Sequence, residues 1–124
     1  MPKIQIARGD VVLVDLAEAI GVEKKNDEAS GLRPCVVVQN DGGNRASPLT
    51  IVAPLTGADQ YKGYAQQVVV TAAELGAGST KDSVIECGHL RAIDRDRRIH
   101  QHLGKVDFAV LPRIDAALKS SLGL

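Results

Sequence analysis

The chain has 124 residues, 44% apolar and 24% charged, with fifteen basic and fifteen acidic side chains. This suits one compact domain, 1–124, long enough to bury a working core without metal or disulfide staples. Zero net charge gives no global sign of nucleic-acid binding, one Phe and two Tyr are few for a surface that stacks bases, and no apolar run is long enough to span a bilayer.

The amino terminus, MPKIQIARGD, is short and charged and lacks a signal-peptide core, so a soluble cytoplasmic protein is expected. VVLVDL, 11–16, predicts a strand opened by the turn-like Arg8-Gly9-Asp10. Residues 17–32 form a charged loop longer than an ordinary connection, which points to function or mobility. CVVVQ, from Cys35, is a continuous apolar run and predicts a strand buried on both faces. The polar stretch QNDGGNRAS, 39–47, reads as a loop whose glycines make a turn. LTIVAPL, 49–55, is the next strand, bent or bordering an edge at Pro54. A polar loop, GADQYKGY, precedes the strand QQVVV, and TAAELGAGST is a turn or one helical turn. DSVIEC and HLRAI predict two strands separated by a bulge or bend at Gly88, and RIHQHLGKV another. Leu111, Ile114, Leu118 and Leu122 then change the period to that of a helix, with Asp107 as a cap and Pro112 near its start. Six or seven short strands followed by one helix predict a mainly β fold, a small bent sheet or barrel covered by a C-terminal helix.

The even charge total hides an uneven distribution. Residues 10–28 carry Asp10, Asp15, Glu18, Glu23, Asp27 and Glu28 against Lys24 and Lys25. Residues 89–105 carry four arginines, Lys105 and all three histidines against Asp94 and Asp96. A basic face over 89–105 is therefore expected. Cys35 and Cys87 sit in apolar strand patterns and read as buried thiols in preference to ligands or a disulfide.

No Walker loop, GxGxxG, HExxH, CxxC pair or GxSxG is present. His100 and His102 form an HxH pair that a strand would place on one face, where a metal could bind. No third ligand stands close in sequence, and a solvated polar face is the alternative. The three histidines could also supply acid–base chemistry near neutral pH. Arg33, held by Pro34 at the mouth of a strand, suits a phosphate or a salt bridge to the acidic 17–32 loop. Thr56, at the end of LTIVAPLT, could donate to a phosphoryl oxygen or simply close a turn.

RGDVVLVDL, GLRPCVVVQND, GNRASPLTIVAPLT, QVVV, DSVIECGHLRAIDRDRRI and the ID-AL-SLGL helix, in that order, resemble the MazF/PemK family of toxin endoribonucleases. The likeness runs from about residue 8 to about 122 and implies an SH3-like, MazF/CcdB-type barrel, a homodimer and a cognate antitoxin as partner. It implies metal-independent cleavage of single-stranded RNA with no cofactor. The resemblance implies that the RNA's 2′-hydroxyl attacks the adjacent phosphorus, leaving a 2′,3′-cyclic phosphate and a 5′-hydroxyl. The family's RP arginine matches Arg33 and its strand-end threonine matches Thr56, and both carry over as catalytic. A guanidinium, with a pKa above about 12, suits charge stabilisation or proton donation to the leaving oxygen better than general base work. Glu23 matches an acidic position near the site. Asn40, Asn44, Arg45 and Ser47 become candidates for RNA contacts or for fixing the loop beside the groove, and His89 and Arg91 join the RNA-binding set. Gly88-His89 departs from the family's usual acidic residue and Gln, and the 17–32 loop is longer than usual, so the cleavage sequence cannot be transferred. The alternatives are a toxin of the same fold that binds a protein target such as DNA gyrase, and an inactive scaffold. The plain SSLGL end of the terminal helix offers little for the former.

Overall fold

In the computed structural model, residues 4–27 and 30–124 are described; Met1, Pro2, Lys3, Glu28 and Ala29, including part of the acidic loop singled out above, lie outside them. Seven strands form among the described residues: β1 (Asp10–Val14), β2 (Arg33–Val37), β3 (Leu49–Gly57), β4 (Gln67–Val70), β5 (Ser83–Glu86), β6 (Arg91–Asp94) and β7 (Ile99–Lys105). Every pairing is antiparallel, along the path β4-β5-β3-β2-β1-β7, with β6 on β3. Four helices accompany them: α1 (Asp41–Ala46), α2 (Ala72–Leu75), α3 (Arg95–Arg98) and α4 (Leu111–Leu122). The mainly β class with a terminal helix is as expected. The sheet is open, its path ending at β4 and β7.

The apolar run of β2 is explained by two cores on opposite faces of one bent sheet. Val36 joins Val11, Ala53, Leu55 and Ile85 beneath α4. Cys35 and Val37 join Val12, Val14, Val52, Ile93 and Ile99 on the other side. Successive strand residues point to opposite faces, so a segment covered on both sides must be apolar throughout. Strand β3 is the hub. Its first half pairs β6 up to Val52 and its second half pairs β5 from Leu55. Pro54, which has no N–H to give, falls in that interruption, so the nine-residue strand continues through it.

Between the ends of the sheet, the turn after α2 meets β7. The Asp107 N–H donates to the Glu74 carbonyl at 2.7 Å. Gly76 (φ +65°) lies so close to Lys105 that a Cβ would run into the latter's carbonyl oxygen. Helix α4 is fastened by Arg8 to Asp115 and by Arg113 to Glu74, each at 2.6 Å. Asp107 caps the preceding 3₁₀ turn (Phe108–Val110), and Pro112 lies in the first turn of α4, where its missing N–H is harmless. Ile114 is buried and Leu111 and Leu118 partly so, but Leu122 is exposed, so the apolar face stops a turn early.

Two elements differ from the sequence reading. The glycine-containing stretch after Gln39 is helix α1, not only a turn: Asn40 caps it by accepting from the Gly43 N–H at 2.7 Å. RDRR is the short helix α3, started by Asp94, whose carboxylate accepts from Asp96 and Arg97. Both are shorter than two turns and start at a cap residue, too short to show a 3.6-residue apolar period.

Candidate active site

Strand β2 pairs with β3 in the register Cys35 opposite Pro54. Carried two residues further, that register sets Arg33 opposite Thr56, on the same face of the sheet. The Arg33 Nη1 donates to the Leu55 carbonyl at 3.2 Å and its Nε to the Lys25 carbonyl at 2.7 Å. The guanidinium is thus fixed from both sides by main chain, from β3 and from the 17–32 loop. Thr56 Oγ1 is buried and has no hydrogen-bond partner among the described residues. Arg33 and Thr56 line one cleft of about 370 Å³, with Asp27, Ser79, Lys81 and Ser83 at its rim. A buried hydroxyl without a partner is uncommon and calls for a ligand oxygen or water. A fork-shaped cation and a hydroxyl converging on one cleft suit a tetrahedral oxyanion.

The 17–32 loop is tied down at its root. Asn26 accepts from the Leu16 N–H at 2.6 Å and donates to Asp15 at 2.8 Å. The Asn26 amide and the Ala17 N–H hold the Asp15 carboxyl below the ordinary range. Arg91 donates to the carbonyls of Leu16 and Ala17, both at 3.1 Å, and Arg98 to that of Asp15 at 3.0 Å. Arg95 is buried and donates to the Asn44 carbonyl. Three of the four arginines in the expected basic stretch therefore fasten main chain. Of these cations only Arg95 is buried; Arg91 and Arg98 are half-buried, and Arg97 and Lys105 are exposed.

Glu23, His89 and Arg91 come together in a second cleft, also of about 370 Å³, which Pro54 borders. Pro54 and Thr56 are two residues apart on β3, about 7 Å along the strand. The two clefts therefore open on neighbouring stretches of one strand. Glu23 is exposed and its carboxylate accepts from the Ile20 N–H at 2.9 Å, shaping the loop tip.

The candidates on the α1 stretch have other surroundings, and none lines either cleft. Asn44 is 1% exposed. Its Oδ1 accepts from Thr50 at 2.7 Å and Gln39 at 3.1 Å, and its amide donates to the Gln39 carbonyl at 3.0 Å. Asn40 caps α1, and Ser47 Oγ accepts from the Leu49 N–H at 3.0 Å. Arg45 is exposed in the last turn of α1.

His102 meets the buried Asp10 at 3.1 Å. Among the described residues no three His, Cys, Asp or Glu side chains are grouped to hold a metal ion. Burial pushes the Cys35 and Cys87 thiols up to about 12, so neither is a thiolate nucleophile at neutral pH. Lys81 and Asp27 at the first cleft, and Lys24, Tyr64 and Glu86 near the second, were not singled out from sequence. They sit in loops or in an apolar run, where no motif marks them.

The profile of the PemK-like, MazF-like toxins of type II toxin–antitoxin systems matches residues 7–122. The chain belongs to this family. It is 36% identical over 119 residues to Endoribonuclease EndoA of Bacillus subtilis (strain 168), covering 96% of each chain. Among solved structures, a MazF from Deinococcus radiodurans has the same fold, with a TM-score of 0.75 at 24% identity over 98% of this chain and 100% of that one. A mycobacterial endoribonuclease solved with its cognate antitoxin gives 0.72 at 21%, covering 96% of both. The open seven-stranded sheet with its terminal helix is thus the fold of the MazF-like toxins. No helix among the described residues of this family member is long and apolar enough to cross a membrane.

Proposed function

We propose that the chain is an endoribonuclease, the toxin of a type II toxin–antitoxin pair, that cuts single-stranded RNA at short sequences in the cytoplasm without a metal. One observation carries the reading: Arg33 and Thr56 converge on one cleft, the first anchored by main chain, the second with an unpartnered buried hydroxyl. The likeness to EndoA supports it.

In this reading the RNA's own 2′-oxygen attacks the adjacent phosphorus and the 5′-oxygen leaves, giving a 2′,3′-cyclic phosphate and a 5′-hydroxyl. Negative charge grows on the non-bridging oxygens during that displacement. A guanidinium has five N–H groups, more than the two that Arg33 commits to Lys25 and Leu55. It can be held rigidly and still donate to the phosphoryl group, so little reorganisation is needed at the moment of reaction. Thr56 orients a phosphoryl oxygen through its hydroxyl. In this reading Arg33 also steadies the leaving 5′-oxygen, and the proton that the 2′-hydroxyl releases balances the one that the 5′-oxygen takes up. DNA lacks the attacking group and resists.

Glu23, His89 and Arg91, which line the neighbouring cleft, would contact flanking nucleotides, and Arg45 offers an exposed cation on α1. Asn40, Asn44 and Ser47 act by holding α1. The reading includes a homodimer and an antitoxin whose tail covers the groove, as the family likeness implies; a mycobacterial relative was solved with its cognate antitoxin. The test is incubation of the antitoxin-free protein with long single-stranded RNA in EDTA. Fragments ending in 2′,3′-cyclic phosphate are expected, and intact RNA would sink the proposal.

A further inference from the structure

Beside the second cleft lies a smaller one of about 240 Å³, and the two share Lys24, Gly88 and His89. Glu86 lines the smaller one, and its side chain is only 6% exposed. Its Oε2 is 3.7 Å from Lys24 Nζ, and its Oε1 accepts from Gln67 Nε2 at 3.0 Å. Gln67 is itself immobilised: it accepts from the Lys62 N–H at 2.8 Å and donates to the Gln60 carbonyl at 3.2 Å. Tyr64, 57% exposed, stands on the same rim. Gly88 leaves room, because a Cβ there would come within 2.9 Å of Gln66 Cγ in the pocket wall.

A buried carboxylate is costly unless something uses its acceptor capacity. Its two oxygens offer about four lone-pair sites. Gln67 and Lys24 occupy part of that capacity, and the rest opens on a cleft rimmed by an aromatic ring. We propose that this pocket receives one unstacked RNA base, and that Glu86 and Lys24 together select guanine. The inference rests on the endoribonuclease reading for its substrate class. Guanine's Watson–Crick edge places two adjacent N–H donors beside the O6 acceptor. A carboxylate next to an ammonium matches that edge. Cytosine and adenine give the carboxylate one amine, and uracil one imino N–H. Tyr64 supplies the stacking face that a splayed base needs. Gln67 is a positioning residue, holding the carboxylate and the loop that carries Tyr64.

Binding of GMP, AMP, CMP and UMP, followed by amide shifts at Gly88 and His89, reads the pocket without any cleavage. GMP is expected to bind at least about tenfold more tightly than the others, and Glu86→Gln, which replaces one acceptor with a donor, should abolish the difference. Lys24→Met, on a half-exposed loop position, should reduce it too and serves if the Gln variant fails to fold. Equal binding of the four nucleotides, or an unchanged preference in both variants, overturns the proposal. In parallel, cleavage of a random RNA pool should show guanine enriched at one fixed position, lost in Glu86→Gln. GMP selectivity in a protein that cuts no RNA would leave the pocket standing and reject the endoribonuclease reading. Cleavage without nucleotide selectivity would do the reverse.

Discussion

Arg33 donates to the carbonyl of Leu55, the residue just before Thr56, and so the catalytic candidate on β2 is fastened to the strand that carries its partner. The guanidinium is thus held to the main chain of β3 beside Thr56. Removal of Arg33 should therefore remove function more than fold. Arg33→Ala is expected to lower kcat by about 10²–10³-fold, the usual size for one transition-state donor. Arg33→Lys should recover little, since an ammonium cannot bond Lys25, Leu55 and a phosphate in the same fork geometry. Cleavage rates beside thermal melts decide it; a fully active Ala variant removes Arg33 from the mechanism.

Thr56→Val should separate activity from stability in the opposite sense to a core mutation. The hydroxyl has no partner among the described residues, so its loss removes a buried, unsatisfied group and stability should hold or rise slightly. Activity should fall by roughly tenfold or more, the worth of one transition-state hydrogen bond. A Val variant that melts early yet cuts normally would assign Thr56 to the fold.

Asn44 and Arg45 are sequence neighbours with opposite expected phenotypes. Asn44→Ala strips an acceptor from Thr50 and Gln39 in a buried site, and should cost about 2–4 kcal/mol in chemical denaturation. Arg45→Ala is exposed and should change stability by less than about 0.5 kcal/mol. A raised KM for RNA in the Arg45 variant would mark a contact with substrate.

Acid should loosen the loop roots and the α2 turn first. The Asn26 bond holds Asp15 low, the Arg8 N–H holds Asp41 low, and the Thr71 N–H with Arg113 holds Glu74 low. A folded pKa below the unfolded one stabilises fully above about pH 4, where unfolded carboxyls titrate, and is lost as pH falls through the folded values. Denaturation midpoints should be level between pH 7 and 5 and drop by pH 3. Asp41→Asn should flatten part of that drop; a variant with the parent's full acid sensitivity would clear Asp41 of the effect.

Both cysteines should resist thiol reagents in the native state at pH 8, since burial pushes each thiol up to about 12. Full reactivity should appear only with unfolding. Rapid labelling of the folded protein would show that the strands open.

Much of this protein was legible as sequence because strands β1, β2 and β3 announce themselves through β-branched apolar runs, and α4 through a change of period. Arg33 before Pro34 and Thr56 at a strand end were visible as chemistry in suggestive places. Helices α1 and α3 were not visible, because a helix shorter than two turns, started by Asn40 or Asp94, has no period to read. Charge along a chain does not say whether a guanidinium meets solvent or a carbonyl: Arg91, Arg95 and Arg98 meet carbonyls, while Arg97 and Lys105 of the same stretch are exposed.

By itself, then, the sequence determined the strand-rich class, the terminal helix and the family resemblance, since periodicity and ordered motifs are local properties. Only the tertiary structure decided which polar residues line a cleft. The β2–β3 pairing brought Arg33 and Thr56 to one cleft, the 17–32 loop carried Glu23 to His89 and Arg91, and burial withdrew Asn44 into the fold. Each depends on contacts between residues distant in the chain, and a one-residue slip in register would turn every one of those strand side chains to the other face.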